Sequence, residues 1–374
     1  MYISIVWVIV ISISVIYFTT ILLLLLGWLK ITVYKKQNRS LSTKVSVIVP
    51  VRNEEKNIRN LLGDILDQDV SKELLEIIIV NDNSEDNTQK IVEEYLFKNN
   101  NIKLLQLESV TGKKNALSKG ILNAKGSLII TTDADCRFNS EWISTIVEFY
   151  EKQKPKMIIG PVAMKSNSLF GDFQSLEFMS LVSSGAGAVG LKSPIMCNGA
   201  NLAFEKNIFL EMNMNDNKNI ASGDDVFLLH KIKKSYNGKI AFLKSQNAIV
   251  TTRAMESLKD FIYQRIRWTS KSKVYKDFFT IYIAIIILLT NIFLLLLLIF
   301  SIFDFRFLFM FLALFGSKSL IDFTFLSSSA GFYDKNKLLF MFLPLQTLYF
   351  IYISFIGVIG NFMPYYWKNR KIKA

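Results

Sequence analysis

The charge-free apolar run from Ile3 to Leu26 constrains this chain more than any other feature. A helix rises about 1.5 Å per residue and the hydrocarbon core of a bilayer is roughly 30 Å thick, so the run is long enough to cross once. It has no basic start and no small-residue cleavage site, and it is longer than the apolar core of a secretory signal, which argues for a retained anchor. Lys30, Lys35, Lys36 and Arg39 follow directly. By the positive-inside rule, the residues after the run are expected in the cytoplasm and the N-terminus outside.

Apolar character returns towards the other end, where Phe278 to Phe303 and Leu338 to Asn361 are expected to span. Between them, Phe305 to Leu326 is apolar but carries Lys318 and Asp322, four residues apart on one helix face. Both an ion pair inside a helix bundle and an interfacial or re-entrant segment satisfy that pattern. The basic tail, Lys368, Arg370, Lys371 and Lys373, favours the cytoplasm and so suits two C-terminal spans better than three. The expected organisation is an anchor over 1–29, a cytoplasmic domain over 30–270 and a membrane region of two or three spans over 271–374. The net charge of +13 does not call for a nucleic-acid partner, because many of the basic residues flank spans and would meet anionic head groups. Cys136 and Cys197, the only cysteines, are expected reduced. His230 is the sole histidine, so a bound metal would need oxygen ligands.

The middle of the chain alternates short β-branched runs with helical patterns. Strands are expected near Val45–Pro50, Glu76–Val80, Ile102–Leu107, Leu128–Thr132 and Met157–Val162. Helices are expected over Glu54–Asp67, Asp86–Phe97, Lys113–Ala124 and Glu141–Glu151. Continuous apolar strands suit a mostly parallel sheet buried on both faces, and the alternation implies an α/β, doubly wound architecture. In such sheets ligands bind beyond the carboxyl ends of the strands. Polar clusters fall there: Pro50 to Glu55 after the first strand, Asn81 to Ser84 after the second, and Asp133-Ala134-Asp135 after the fourth. Each also reads as a turn or cap. The spacing of Asp133 and Asp135 lets both carboxylates serve one hard divalent cation that in turn holds a diphosphate.

Further on, Gly112-Lys113-Lys114-Asn115 opens a helix where N–H groups and ammonium ions can meet phosphate, although a solvated basic turn fits as well. Asp224-Asp225 precedes another helical pattern, so it reads either as a cap or as a carboxylate placed to take a proton from an acceptor hydroxyl. Leu258, Phe261, Ile262 and Ile266 form one stripe of a helix, with Arg265 and Arg267 on other faces. The stripe explains an interfacial helix but not why Gln264, Arg267 and Trp268 occur together.

In this order, from Val45 to Trp268, the motifs resemble the membrane-bound branch of glycosyltransferase family 2, which includes cellulose, hyaluronan and poly-N-acetylglucosamine synthases and ceramide glucosyltransferases. The resemblance implies a GT-A type nucleotide-binding domain, flanked by transmembrane helices, and a nucleotide-sugar donor, with uridine diphosphate as the carrier. It implies donor contacts from Pro50, Glu54, Asp82, Lys113, Asp133, Gln264 and Arg267, and Mg2+ or Mn2+ on Asp133 and Asp135. Asp225 matches the catalytic base. Asn201, in the segment Asn198 to Phe204, and Trp268 match acceptor-side positions. Asn81 stands where the family often has a second acid, and Asp224 where glutamate is usual. The expected activity is inverting transfer to a membrane lipid or lipid-linked glycan at the cell membrane. The alternatives are a processive polysaccharide synthase and a degenerate transferase serving as an export scaffold.

Overall fold

The computed structural model describes residues 2–108, 111–212, 224–270, 275–360, 363, 365–367 and 370–372; Ser222 and Gly223 beside the second acidic pair, Asn361, and Lys368 and Lys373 of the basic tail lie outside them. The chain opens with α1 (Tyr2–Lys30) and then alternates through β1 (Val45–Val51), α2 (Ile58–Leu66), β2 (Leu75–Asn81), α3 (Thr88–Leu96), β3 (Ile102–Gln106), α4 (Lys113–Asn123), β4 (Leu128–Thr131) and α5 (Trp142–Gln153). It continues through β5 (Met157–Ile159), β6 (Val162–Lys165), α6 (Leu169–Gly190), β7 (Leu202–Glu205), α7 (Lys206–Glu211), α8 (Asp224–Ser235), β8 (Ile240–Phe242), β9 (Val250–Arg253) and α9 (Leu258–Ser270). The last elements are α10 (Phe278–Phe300), α11 (Arg306–Ala330), α12 (Phe342–Ile359) and a hairpin of β10 (Tyr365–Trp367) and β11 (Arg370–Ile372).

Two compact units result: Ile31–Lys165 with Lys192–Ala254, and Met1–Lys30 with Ser166–Leu191 and Met255–Ala374. The helices α6 and α9, expected inside a continuous 30–270 domain, therefore cluster with the apolar helices instead.

The first unit is built on a seven-stranded sheet of order β3-β2-β1-β4-β7-β5-β8. Strands β1 to β4 pair in parallel, β7 runs antiparallel to both β4 and β5, and β5 pairs in parallel with β8. Val47 to Val49 and Ile77 to Val80 are fully buried, as strands covered on both faces must be. Pro50 lies in β1 without breaking a ladder bond. Ile48 O accepts from Thr132 N on the β4 side, and Pro50, two residues on, faces that same side just past the last β4 partner. The single strand expected over Met157–Val162 is two strands: β5 stops at Ile159, and after Gly160-Pro161 the chain re-pairs as β6 with β9 in a separate ribbon.

In the second unit four helices among the described residues, Ile3–Lys30, Phe278–Phe300, Arg306–Ala330 and Asn336–Ile359, are long and apolar enough to cross a membrane. The segment around Lys318 is thus a helix of spanning length, and its charges are internal. Lys318 Nζ pairs with Asp322 Oδ2 at 2.6 Å, and Asp322 also accepts from Tyr17 Oη at 2.8 Å and Gln346 Nε2 at 2.8 Å. Tyr17 on Asp322 and Trp28 Nε1 on Ser328 O set α1 and α11 running in the same direction. Close approach of α1 to α6 depends on glycine: a Cβ on Gly27 would stand 2.0 Å from Gly187 O, and one on Gly187 2.2 Å from Leu24 O.

Candidate active site

The carboxyl ends of β1, β2 and β4 converge, and the residues that follow them are cross-tied. Arg52, just past β1, donates from Nη1 to Asp82 O (2.8 Å) and Asn83 O (3.0 Å), and from Nη2 to Glu85 (3.0 Å). Asn81 Oδ1 accepts from Ser84 N and Oγ, so the residue standing in place of a second acid closes a turn. Asp82 is buried and its Oδ2 accepts from Gly112 N at 3.0 Å. Gly112, with φ of +110°, is the cap of α4; its backbone conformation is one that side chains disfavour, and it places its own N–H on the acid. Glu54 is held in the β1 turn, its N–H on Thr88 Oγ1 and its carboxylate accepting from Asn57 Nδ2.

Lys113, the first residue of α4, ion-pairs with Asp133 just past β4. Asp135, half-buried two residues further, accepts from Thr252 Oγ1 at 3.1 Å. Burial, and then the Asp133 and Glu54 carboxylates, push the Asp135 carboxyl above its ordinary range against the opposing pull of Thr252 and Lys113. The same surroundings push the buried Cys136 thiol well up, which keeps it protonated and unreactive. Among the described residues no three carboxylate, histidine or cysteine side chains stand close enough to hold a metal by themselves. Two carboxylates whose charges oppose one another, beside a third, fit a hard cation that draws its remaining ligands from a diphosphate and water.

Asp225 opens α8. One of its oxygens accepts from Gly199 N at 3.1 Å and the other from Val226 N at 2.9 Å. Thr131 Oγ1 donates to Gly199 O at 2.7 Å, so the end of β4, the Asn198-Gly199 turn and Asp225 are joined. A cavity of about 40 Å³, lined mainly by apolar side chains, is bordered by Asp225, Thr131, Gly199 and Lys114.

Asn201, expected to contact the acceptor, lies inside the protein. Its side chain is 1% exposed, donates to Pro161 O and Ala248 O at 2.8 Å each and accepts from Trp142 Nε1 at 3.0 Å. These bonds make the side chain an internal strut between the start of β7, α5 and the segments around Pro161 and Ala248.

Gln264, Arg267 and Trp268 lie on α9, in the other unit. Here the expectation that Arg265 points away from the buried stripe is corrected: Arg265 is 3% exposed, ion-paired to Glu177 of α6 at 2.5 Å. Sequence periodicity places the arginine on a polar face because its partner lies far away in the chain. Thr252, which bonds Asp135, likewise carries no local signal.

A sheet of this order, with acids at the ends of β2 and β4 and a basic helix start between them, defines a GT-A type nucleotide-binding domain, here accompanied by helices long enough to span a membrane. The glycosyl transferase family 2 model matches residues 46–211 of the chain. Poly-β-1,6-N-acetyl-D-glucosamine synthase of Staphylococcus epidermidis is 31% identical over 159 residues, 40% of this chain and 38% of its own length. The Staphylococcus aureus synthase of the same name is 27% identical over 248 residues, 63% of this chain and 57% of its own length. The chain thus spans well under two thirds of the length of these curated relatives. Among solved structures, the mannosyltransferase PcManGT of Pyrobaculum calidifontis, in complex with GDP-Man and Mn2+, shares the fold with a TM-score of 0.57 at 16% identity, over 94% of this chain and 98% of that one.

Proposed function

We propose that the protein is a metal-dependent, inverting glycosyltransferase of the cell membrane that moves a sugar from a nucleotide donor, with uridine diphosphate as carrier, to a lipid or lipid-linked glycan. The observation that carries this reading is the pair Asp133 and Asp135 past β4, with Lys113 ion-paired to the first and Thr252 bonded to the second. Asp82, whose carboxylate accepts from Gly112 N–H, would meet the base, with Pro50 of β1 and Glu54 in the turn after it as further donor contacts. Asp133 and Asp135 would hold Mg2+ or Mn2+, which when bound neutralises charge on the leaving diphosphate. Gln264 and Arg267 serve the diphosphate, and Trp268 stacks on the acceptor.

Asp225 takes the proton from the acceptor hydroxyl as that oxygen attacks the anomeric carbon and the bond to the diphosphate breaks; one substitution in line inverts the configuration. Its two backbone N–H partners fix the carboxylate's direction before substrate arrives. The basic residues after α1 support a cytoplasmic site.

A second reading, processive synthesis, is favoured by the names of the staphylococcal relatives. One experiment addresses both. Purified protein in native lipid receives a panel of labelled nucleotide sugars with and without chelator, and products are sized by mass. A lipid-soluble product bearing one or a few sugars supports the first reading, and a ladder of long chains supports the second. Asp225→Asn that folds and transfers at the full rate would remove the assigned base.

A further inference from the structure

We propose that Arg265, which lies inside the Gln264 to Trp268 motif, is a positioning residue that holds both motif side chains in their working orientation. The inference rests on the proposed roles of Gln264 and Trp268. The guanidinium is almost fully buried, and its fork is divided among several jobs. Nε and Nη2 grip Glu177 of α6 at 2.5–3.2 Å, and Nη1 donates to Gln264 Oε1. Its face lies 4.3 Å from the ring centroid of Trp268 and 4.5 Å from that of Phe261. One planar cation therefore touches the side chain immediately before it and the ring three residues after it.

The clamp is itself anchored. Glu177 also accepts from Tyr352 Oη of α12 at 3.1 Å, and Trp268 rests on Phe178, the neighbour of Glu177, with ring centroids 5.8 Å apart. Ile266, the next residue of α9, packs against Ile356 of α12. Thus α9 is pinned to α6 and α12 through the residue that orients Gln264 and Trp268. Lysine cannot replace arginine here: a compact ammonium can meet Glu177 but has no planar face for the indole and no second arm for Gln264.

Arg265→Lys keeps the charge facing Glu177, so protein yield and thermal unfolding should stay near those of the parent. Transfer should fall about 10- to 100-fold, as expected when reacting groups are misplaced by about 1 Å. The decisive readout is a double-mutant cycle on the transfer rate with Trp268→Ala. If Arg265 acts through Trp268, adding Arg265→Lys to Trp268→Ala costs much less than it costs alone; losses that multiply would overturn the proposal. An activity-independent arm uses protein labelled with 5-fluorotryptophan. The chain has 5 tryptophans, and the resonance missing from Trp268→Phe identifies that ring. Arg265→Lys should shift that resonance and leave the others in place. An unmoved resonance overturns the proposal. A shifted resonance in a protein that turns over no nucleotide sugar upholds the clamp and refutes the proposed function.

Discussion

Lys113 and Asp133 form an ion pair that ties the start of α4 to the end of β4, and it leaves Asp135 as the deeper carboxylate of the pair. Neutralising Asp135 should therefore affect cation binding most directly. Asp135→Asn is expected to weaken Mn2+ binding in the presence of uridine diphosphate, followed by paramagnetic resonance, and to lower transfer by roughly 100-fold or more. Retained cation-stimulated transfer would take the metal away from this loop.

Asn201 should behave as a structural residue. Asn201→Ala orphans Pro161 O, Ala248 O and Trp142 Nε1 inside the protein. A loss of about 1–3 kcal/mol per stranded group predicts poor yield and a markedly lower unfolding temperature. Purified protein of normal stability with a raised acceptor KM would restore the acceptor role.

The strands legible in the sequence are those whose own residues carry the signal. Their centres, Val47 to Val49 and Ile77 to Val80, are continuously apolar because both faces of the sheet are covered, and the polar residues that follow stand out against them. What cannot be read depends on distant partners. β7 enters the sheet between strands that precede it, and no feature of Leu202 to Glu205 announces an antiparallel neighbour. The amide of Asn201 and the guanidinium of Arg265 look solvent-bound until Trp142 and Glu177 arrive.

Glu148 offers a test of pH dependence. Burial alone would raise its carboxyl pKa, but the Tyr34 hydroxyl and the N–H groups of Gln37 and Arg39 outweigh burial and hold it below the ordinary value. A depressed folded pKa contributes stability above the unfolded value of about 4.3, and that contribution disappears as pH falls through the folded value. Glu148→Gln should therefore lower the unfolding temperature at neutral pH, with the difference from the parent shrinking below about pH 4. A difference that is constant with pH would assign the effect to packing.

The glycine contact between α1 and α6 predicts opposite outcomes for two similar changes. Gly187→Ala drives a methyl group to 2.2 Å from Leu24 O, so the helices must part and the unfolding temperature in detergent should drop by several degrees. A methyl group added at Gly63, inside α2, meets nothing within 4 Å. Gly63→Ala should be neutral or add about 0.5–1 kcal/mol.

The common direction of α1 and α11 predicts topology. If Lys30 marks the cytoplasmic end of α1, then Ala330 ends α11 on that side and the turn between α10 and α11 is outside. A cysteine at exposed Ile302 should react with an impermeant maleimide added to intact cells, and one at exposed Lys337 only after permeabilisation. Cys136 and Cys197 are buried and supply a low background. The reverse labelling pattern would invert the proposed cytoplasmic placement.

The antiparallel entry of β7 has a consequence in time as well as in space. Thr131 of β4 pairs with Leu202, and Gly199, which holds Asp225, comes just before that strand. Asp225 and the acids past β4, Asp133 and Asp135, are therefore joined only after β7 has entered between β4 and β5, a closure over a long stretch of chain and an intrinsically slow one. Under the proposed mechanism, a chain that has made only its first four strands holds the two loop acids but not the base, and transfer waits on that closure.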